Sequence, residues 1–150
     1  MPDSLSCVQI HFVFGTKNRE LWIREEWESD LHRTIGAILS TKKCVLLAAG
    51  GASDHIHLLV AVGREVSQAE IMRVVKANTS KWIHETFPEY PFAWQVGYGS
   101  FGVSYGDIDV VKRYIARQKT HHATHSFRDE YRDLLYHNGR QSQENAEWDW

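Results

Sequence analysis

Between residues 7 and 14 apolar and polar positions alternate, with Val8, Ile10, Phe12 and Phe14 on one face, and this period of two predicts a first strand. The polar run Gly15-Thr16-Lys17-Asn18-Arg19-Glu20 follows it. From about residue 24 to 42 the period lengthens: Trp27, Leu31, Thr34, Ile35, Ile38 and Leu39 recur at steps of three and four, the stripe of an amphipathic helix. Residues 44–49 predict a second strand, and Gly50-Gly51-Ala52-Ser53 a turn into a third that carries Ile56, Leu58, Val60 and Val62 on its core face. Residues 67 to about 82 predict a second helix, with Ile71, Val74, Val75 and Trp82 inward and Ser67 as N-cap facing Glu70 in a capping box. After Pro88 and Pro91, residues 92–104 are strand-like, and Gly97, Gly99 and Gly102 there signal bends or close approach by a ligand or another backbone. A third helix is expected from Asp107, its N-cap, to about Thr120, and a short amphipathic stretch with Phe127, Tyr131, Leu134 and Leu135 comes after His125.

The order β-α-β-β-α-β with a further helix is the split βαβ arrangement of α+β, ferredoxin-like domains: an antiparallel sheet with helices on one face, plus a C-terminal helix. The opposite face is then expected to be free for binding. Residues 1–135 make one domain, and 136–150 a polar, acidic tail with little reason to order, apart from Trp148 and Trp150, which could dock.

Composition narrows the class without choosing a function. At 150 residues, 43% hydrophobic and 24% charged, the chain suits a single globular domain. No apolar run approaches the ~20 residues of a membrane span, and the N-terminus lacks a signal-peptide pattern, so a cytoplasmic protein is expected. Cys7 and Cys44 both fall in apolar segments and read as reduced core or near-core residues. The net charge of −2 argues weakly against nucleic-acid binding. It hides an asymmetry, however: residues 107–128 hold five Lys/Arg against two acids, and residues 129–150 two against six.

The chemistry centres on Asp54-His55-Ile56-His57-Leu58-Leu59-Val60. Residues i and i+2 of a strand share a face about 7 Å apart, so His55 and His57 form a bidentate start to a metal site, or else a pair of partly exposed strand histidines. The third helix presents Tyr114 and Gln118 four residues apart, on one face. A tyrosine on a helix is ordinarily packing. As a nucleophile, with a pKa near ~10, it needs a cation on its target. Tyr98 is the rival nucleophile, but it lacks a ligand at i+4 and sits between glycines. His121 and His122 read as helix-end residues that complement the dipole or touch phosphate. Lys17, Arg19, Arg73, Lys76 and Lys81 are candidate contacts to a nucleic-acid backbone, and Trp94 a candidate base-stacking residue.

Taken in order, these segments carry a resemblance. The His55/His57 strand resembles the histidine-hydrophobic-histidine strand of single-strand DNA nucleases. Residues 94–104 (Trp-Gln-Val-Gly-Tyr-Gly-Ser-Phe-Gly-Val-Ser), then Tyr114-Ile115-Ala116-Arg117-Gln118, His121-His122 and Phe127-Arg128-Asp129-Glu130, are similar to the tyrosine-helix region of the single-tyrosine transposases of the insertion sequence 200/605 family. The basic loop 15–19 also stands where that family has one. The resemblance spans about residues 8–135. It implies that Tyr114 attacks a DNA phosphate to give a 5'-phosphotyrosine and a free 3'-hydroxyl. It also implies that His55, His57 and Gln118 hold a divalent ion, Mg²⁺ or Mn²⁺. On ligand softness Mn²⁺ should work well, with Mg²⁺ tolerated. The implied partner is a single-stranded DNA hairpin. The implied assembly is a homodimer in which one subunit's tyrosine helix serves the other's histidines, with no nucleotide cofactor. Gly97, Gly99 and Gly102 would then supply a flexible connection.

Besides an inactive or domesticated copy of such an enzyme, two other readings stay open. One is a non-catalytic single-strand binder of RNA-recognition architecture, although the aromatic signature of such sheets is absent. The other is a metal-dependent hydrolase that uses a water in place of Tyr114.

Overall fold

The computed structural model describes residues 4–122 and 125–139. Four strands, β1 (Gln9–Gly15), β2 (Val45–Ala52), β3 (His55–Ala61) and β4 (Gly99–Val103), form one antiparallel sheet in the order β2-β3-β1-β4. This is the ferredoxin-like order expected from the pattern. The alternation in β1 puts Ile10, Phe12 and Phe14 on one face, where they meet Ile56, Leu58 and Val60 of β3 and the apolar stripes of α1 (Glu25–Thr41) and α2 (Gln68–Thr86). Leu31, Ile35, Leu39, Ile71, Val75 and Ile83 are fully sealed in that core. Three acids in the first turn of α1 complement its dipole in the absence of a capping side chain. Ser67 caps α2 by accepting from the Glu70 amide, but the capping box is half-made, because the Glu70 carboxylate turns outward to Arg73 and Lys42.

Several boundaries differ from the pattern. The expected turn at Gly50–Gly51 belongs to β2, and the hairpin turns at Ser53–Asp54. The expected strand over 92–104 shrinks to β4, preceded by one isolated bridge between Thr16 and Trp94. Cys44 is buried, but Cys7 is exposed, because it precedes the first paired residue of β1. The third helix breaks: α3 (Ile108–Ala116) ends at Arg117 (φ −95°, ψ 9°), and a single turn, α4 (Gln118–His121), continues from it. Asp107 occupies the N-cap position without a side-chain capping bond. The stretch after His125 is helix α5 (Phe127–His137), capped by Ser126. Trp148, Trp150 and the rest of the tail beyond residue 139 lie outside the described residues.

The largest departure concerns the second sheet face, expected to be open. Instead, α3, α4 and α5 lie across it. Gly50 of β2 and Gly99 of β4 make this possible: a Cβ at Gly50 would stand 2.5 Å from the Ile115 carbonyl oxygen, and one at Gly99 2.8 Å from the Tyr131 ring. The glycine signal thus marks close approach by helices. Gly99 and Gly102 are strand residues rather than a loose connection. No helix among the described residues is long and apolar enough to cross a membrane.

Candidate active site

Cross-strand register builds the site. His57 lies opposite Gly50 on β2 and Val13 on β1, and His55 opposite Ala52 and Gly15. Small neighbours leave both imidazoles room above the sheet, beneath the covering helices, and both are fully buried. The His55 ring stacks on Phe127 of α5, with centroids 4.1 Å apart and planes at 5°. Its Nδ1 is held by Asp54 Oδ1 at 2.8 Å, which leaves Nε2 facing the site, 3.1 Å from Gln118 Oε1. A carboxylate on the far nitrogen is the arrangement that orients ligating histidines.

Gln118 reaches that point because the helix breaks at Arg117; its amide remains next to the Tyr114 carbonyl oxygen. The Tyr114 ring stands edge-on to His57, centroids 5.6 Å apart, and its hydroxyl donates to Glu130 Oε2. Tyr114, Gln118, His55 and His57 are therefore brought together within one chain. Tyr98 is not among them: it packs edge-on against Phe12 in the core on the other side of the sheet.

Glu130, a residue the sequence did not single out as a ligand, sits at the centre. Its Oε1 accepts from His57 Nε2 and from His122 Nε2, both at 3.0 Å, and lies 3.5 Å from His55 Nε2. His121 approaches the other oxygen at 3.5 Å. His122 is at a helix end as expected, the C-cap of α4, and its ring also lies 4.4 Å from that of His55. The available signal was positional: Glu130 stands three residues after Phe127 and four before Leu134, an acid on the apolar stripe of α5, and is buried with it.

The charges follow from this packing. Burial would raise the Glu130 pKa, but hydrogen bonds from His122, His55 and His57 hold it well below the usual carboxylate range. Burial would lower His55, but bonds to Asp54 and Glu130 outweigh it and raise it to about 9. For His57 burial prevails over Glu130 and lowers it to about 4. Burial, and the hydrogen bond to Glu130, push the Tyr114 phenol up.

The donor set suits a divalent ion. His55, His122 and Glu130 each offer a ligand atom, all within 4.8 Å of one another, and His57 Nε2 points at the same Glu130 oxygen. Imidazole nitrogens with a carboxylate or amide oxygen are borderline ligands that accept Mn²⁺ or Zn²⁺ readily.

The five candidate DNA-contacting cations lie apart from this cluster. Lys17 and Arg19 are in the 3-10 turn after β1. Arg73 and Lys81 on α2 pair with Glu70 and Glu85. Lys76 donates to the carbonyls of Gln95 and Gly97 above the Phe14 ring, and burial lowers its pKa to about 8. Trp94 packs on Phe14 and Phe92 and donates Nε1–H to Thr79, so it is committed to the core rather than to a base. Nor is the sheet an open stacking platform of the RNA-recognition kind, because helices cover it.

The fold and site thus define a class of domain: a split βαβ sheet with a paired-histidine strand, overlaid by α3 with Tyr114 and by α4 with Gln118. The family model described as "Transposase IS200 like" matches residues 4–118, and the chain belongs to that family. It is similar to the transposases for insertion sequence element IS200 of Salmonella typhimurium and Salmonella typhi, each 28% identical over 89 residues, which cover 57% of this chain. The chain spans 56% of the length of these relatives. Among solved structures, a putative transposase from Deinococcus radiodurans R1 matches with a TM-score of 0.65 at 19% identity, covering 79% of this chain and 95% of that one. A REP-associated tyrosine transposase bound to a REP hairpin matches with a TM-score of 0.61 at 13% identity, covering 81% and 72%. At these identities the two structures speak for the fold. Glu130 and His122 lie beyond the matched segment.

Proposed function

We propose that this chain cuts and rejoins single-stranded DNA at hairpin-marked ends through Tyr114, with a divalent ion, Mg²⁺ or Mn²⁺, held by His55, His57 and Gln118 and supported by Glu130 and His122. The observation that carries this reading is the meeting of the Tyr114 hydroxyl, two imidazole Nε2 atoms and the Gln118 oxygen around one buried carboxylate, in a member of a transposase family.

The phenol oxygen of Tyr114 attacks the scissile phosphorus. The bond to the 3'-oxygen breaks as the phosphotyrosine bond forms, and the 3'-oxygen takes a proton from water and leaves as a hydroxyl. The phenol proton has an acceptor in contact, Glu130 Oε2. The cation, when bound, withdraws charge from the phosphoryl oxygens and so favours attack. Asp54 and Phe127 hold the His55 ring in place, and Gln118 is held by the break after α3. Attack by the freed 3'-hydroxyl on the phosphotyrosine reseals a strand with no net change in bond type, so no nucleotide cofactor is needed. Because Tyr114 stands beside the histidines of its own chain, the reading needs no exchange of helices between subunits.

The test is a hairpin oligonucleotide labelled at its 5' or its 3' end, incubated with the protein and Mn²⁺ and run under denaturing conditions. Label migrating with protein only for the downstream fragment is expected. Tyr114→Phe should abolish the adduct and keep hairpin binding. Continued cleavage by Tyr114→Phe would favour the water-using hydrolase.

A further inference from the structure

We infer that His11, on the central strand β1, is a positioning residue for His57: it fixes the ring and exchanges a proton with its Nδ1, so that His57 Nε2 can either donate to Glu130 or ligate a cation. His11 is 4% exposed, and its Nε2 lies 2.7 Å from His57 Nδ1, with the two rings stacked at 5.0 Å and 27°. The contact is diagonal across the β1–β3 ladder, since His57 faces Val13 and His11 faces Leu59. β1 is hydrogen-bonded on both sides, to β3 and to β4, and Phe101 and the Tyr114 ring flank the imidazole at 6.1 Å. The ring is thus held on a rigid element, against the Nδ1 edge of His57, while Nε2 meets Glu130.

A neutral imidazole carries one ring proton. With His57 Nε2–H donated to Glu130, Nδ1 must accept, and His11 Nε2–H is the donor at hand. Were the Nε2 lone pair given to a cation, the proton would sit on Nδ1: His11 Nε2–H passes to it, the displaced His57 Nε2 proton leaves to water, water returns one to His11 Nδ1, and the same His11 Nε2 becomes the acceptor, so that each ring keeps one proton. A carboxylate would serve only the second state, as Asp54 Oδ1 does for His55. A histidine serves both, because either nitrogen can carry the proton. Partners of this kind, behind a ligating histidine, typically change metal affinity ten- to a hundredfold when removed.

The inference rests on the reading of His57 as a ligand, and the experiment separates the two. Mn²⁺ affinity of the full chain without DNA is read by electron paramagnetic resonance for wild type, His11→Gln and His11→Phe, with the thermal midpoint of each followed in EDTA. Phenylalanine keeps the ring volume, and glutamine keeps a donor and an acceptor. His11→Phe is expected to bind Mn²⁺ roughly ten- to a hundredfold more weakly, and His11→Gln to recover most of that loss. Wild-type affinity in His11→Phe overturns the inference and leaves the metal site standing, as does a His11→Gln variant as weak as His11→Phe. A wild-type chain that binds no Mn²⁺ overturns both. Should His11→Phe not fold, the ¹⁵N shifts of His57 in the wild-type chain decide. Nε2–H in EDTA and Nδ1–H with Zn²⁺ are expected, and one unchanged tautomer overturns the proposal.

Discussion

Gly50→Ala is the smallest change that should disable the site without touching a reacting group. Gly50 lies opposite His57 and under α3, where an added Cβ would sit 2.5 Å from the Ile115 carbonyl oxygen and 2.9 Å from its Cγ2. Restoring ordinary separation requires about 1 Å of movement. The strand is hydrogen-bonded into the sheet, whereas α3 is a helix of nine residues with only one fully buried side chain, Ile115. The helix should therefore move, carrying Tyr114 and Gln118. The 3.1 Å contact between Gln118 and His55 would open to about 4 Å, beyond hydrogen-bonding range. Misplacement of about 1 Å costs on the order of a hundredfold in rate, and overpacking about 1–3 kcal/mol in stability. The assay is the rate of covalent adduct formation on a labelled hairpin with Mn²⁺, alongside thermal melting. Wild-type adduct formation by Gly50→Ala, with the midpoint unchanged, would refute the claim that the approach of α3 to the sheet sets the site.

Two further outcomes follow from the same geometry. On the proposed function, mixing Tyr114→Phe with His55→Ala protein should restore no cleavage, since Tyr114 stands beside the histidines of its own chain; recovery towards a quarter of wild-type activity, the share of intact sites when two such variants pair at random, would instead show exchange between subunits. In EDTA the thermal midpoint should be highest near pH 6–7. His11 and His57, held at about 3 and about 4 mainly by burial, are neutral in the fold, so stability is lost as pH falls below 6.5 and the unfolded chain takes up protons first, by a few kcal/mol in order of magnitude. His55, raised to about 9, contributes below 6.5 and loses that contribution as pH rises towards 9. A midpoint constant from pH 4 to 9 would contradict this charge arrangement.

Much of the fold was legible, because it is written in short periods. Alternation at Ile10, Phe12 and Phe14, and steps of three and four at Leu31, Ile35 and Leu39, identify elements from neighbours alone. The order of those elements, with few ways to connect them, then selects the split βαβ sheet. The His55/His57 pair was equally visible, since a period of two puts i and i+2 on one face whatever surrounds the strand, whereas the i+4 spacing of Tyr114 and Gln118 is interrupted by the helix break at Arg117. The glycines at 50 and 99 stand out in the pattern, the first read there as a turn and the second as a bend or a close approach by a ligand or another backbone, but neither names the helices that rest on them. A missing side chain announces that something comes close without saying what.

Sequence alone therefore determined most of the elements, their order and the His55/His57 pair, each a matter of backbone geometry over a few positions. Which face of the sheet would be covered, and by what, was decided only in three dimensions. Glu130 reaches His57 across 73 residues and His11 reaches it across 46, through a strand register and a helix break that no local period encodes. Such contacts exist because α3 and α5 fill the space above two glycines, and packing of that kind is a property of the whole chain rather than of any segment.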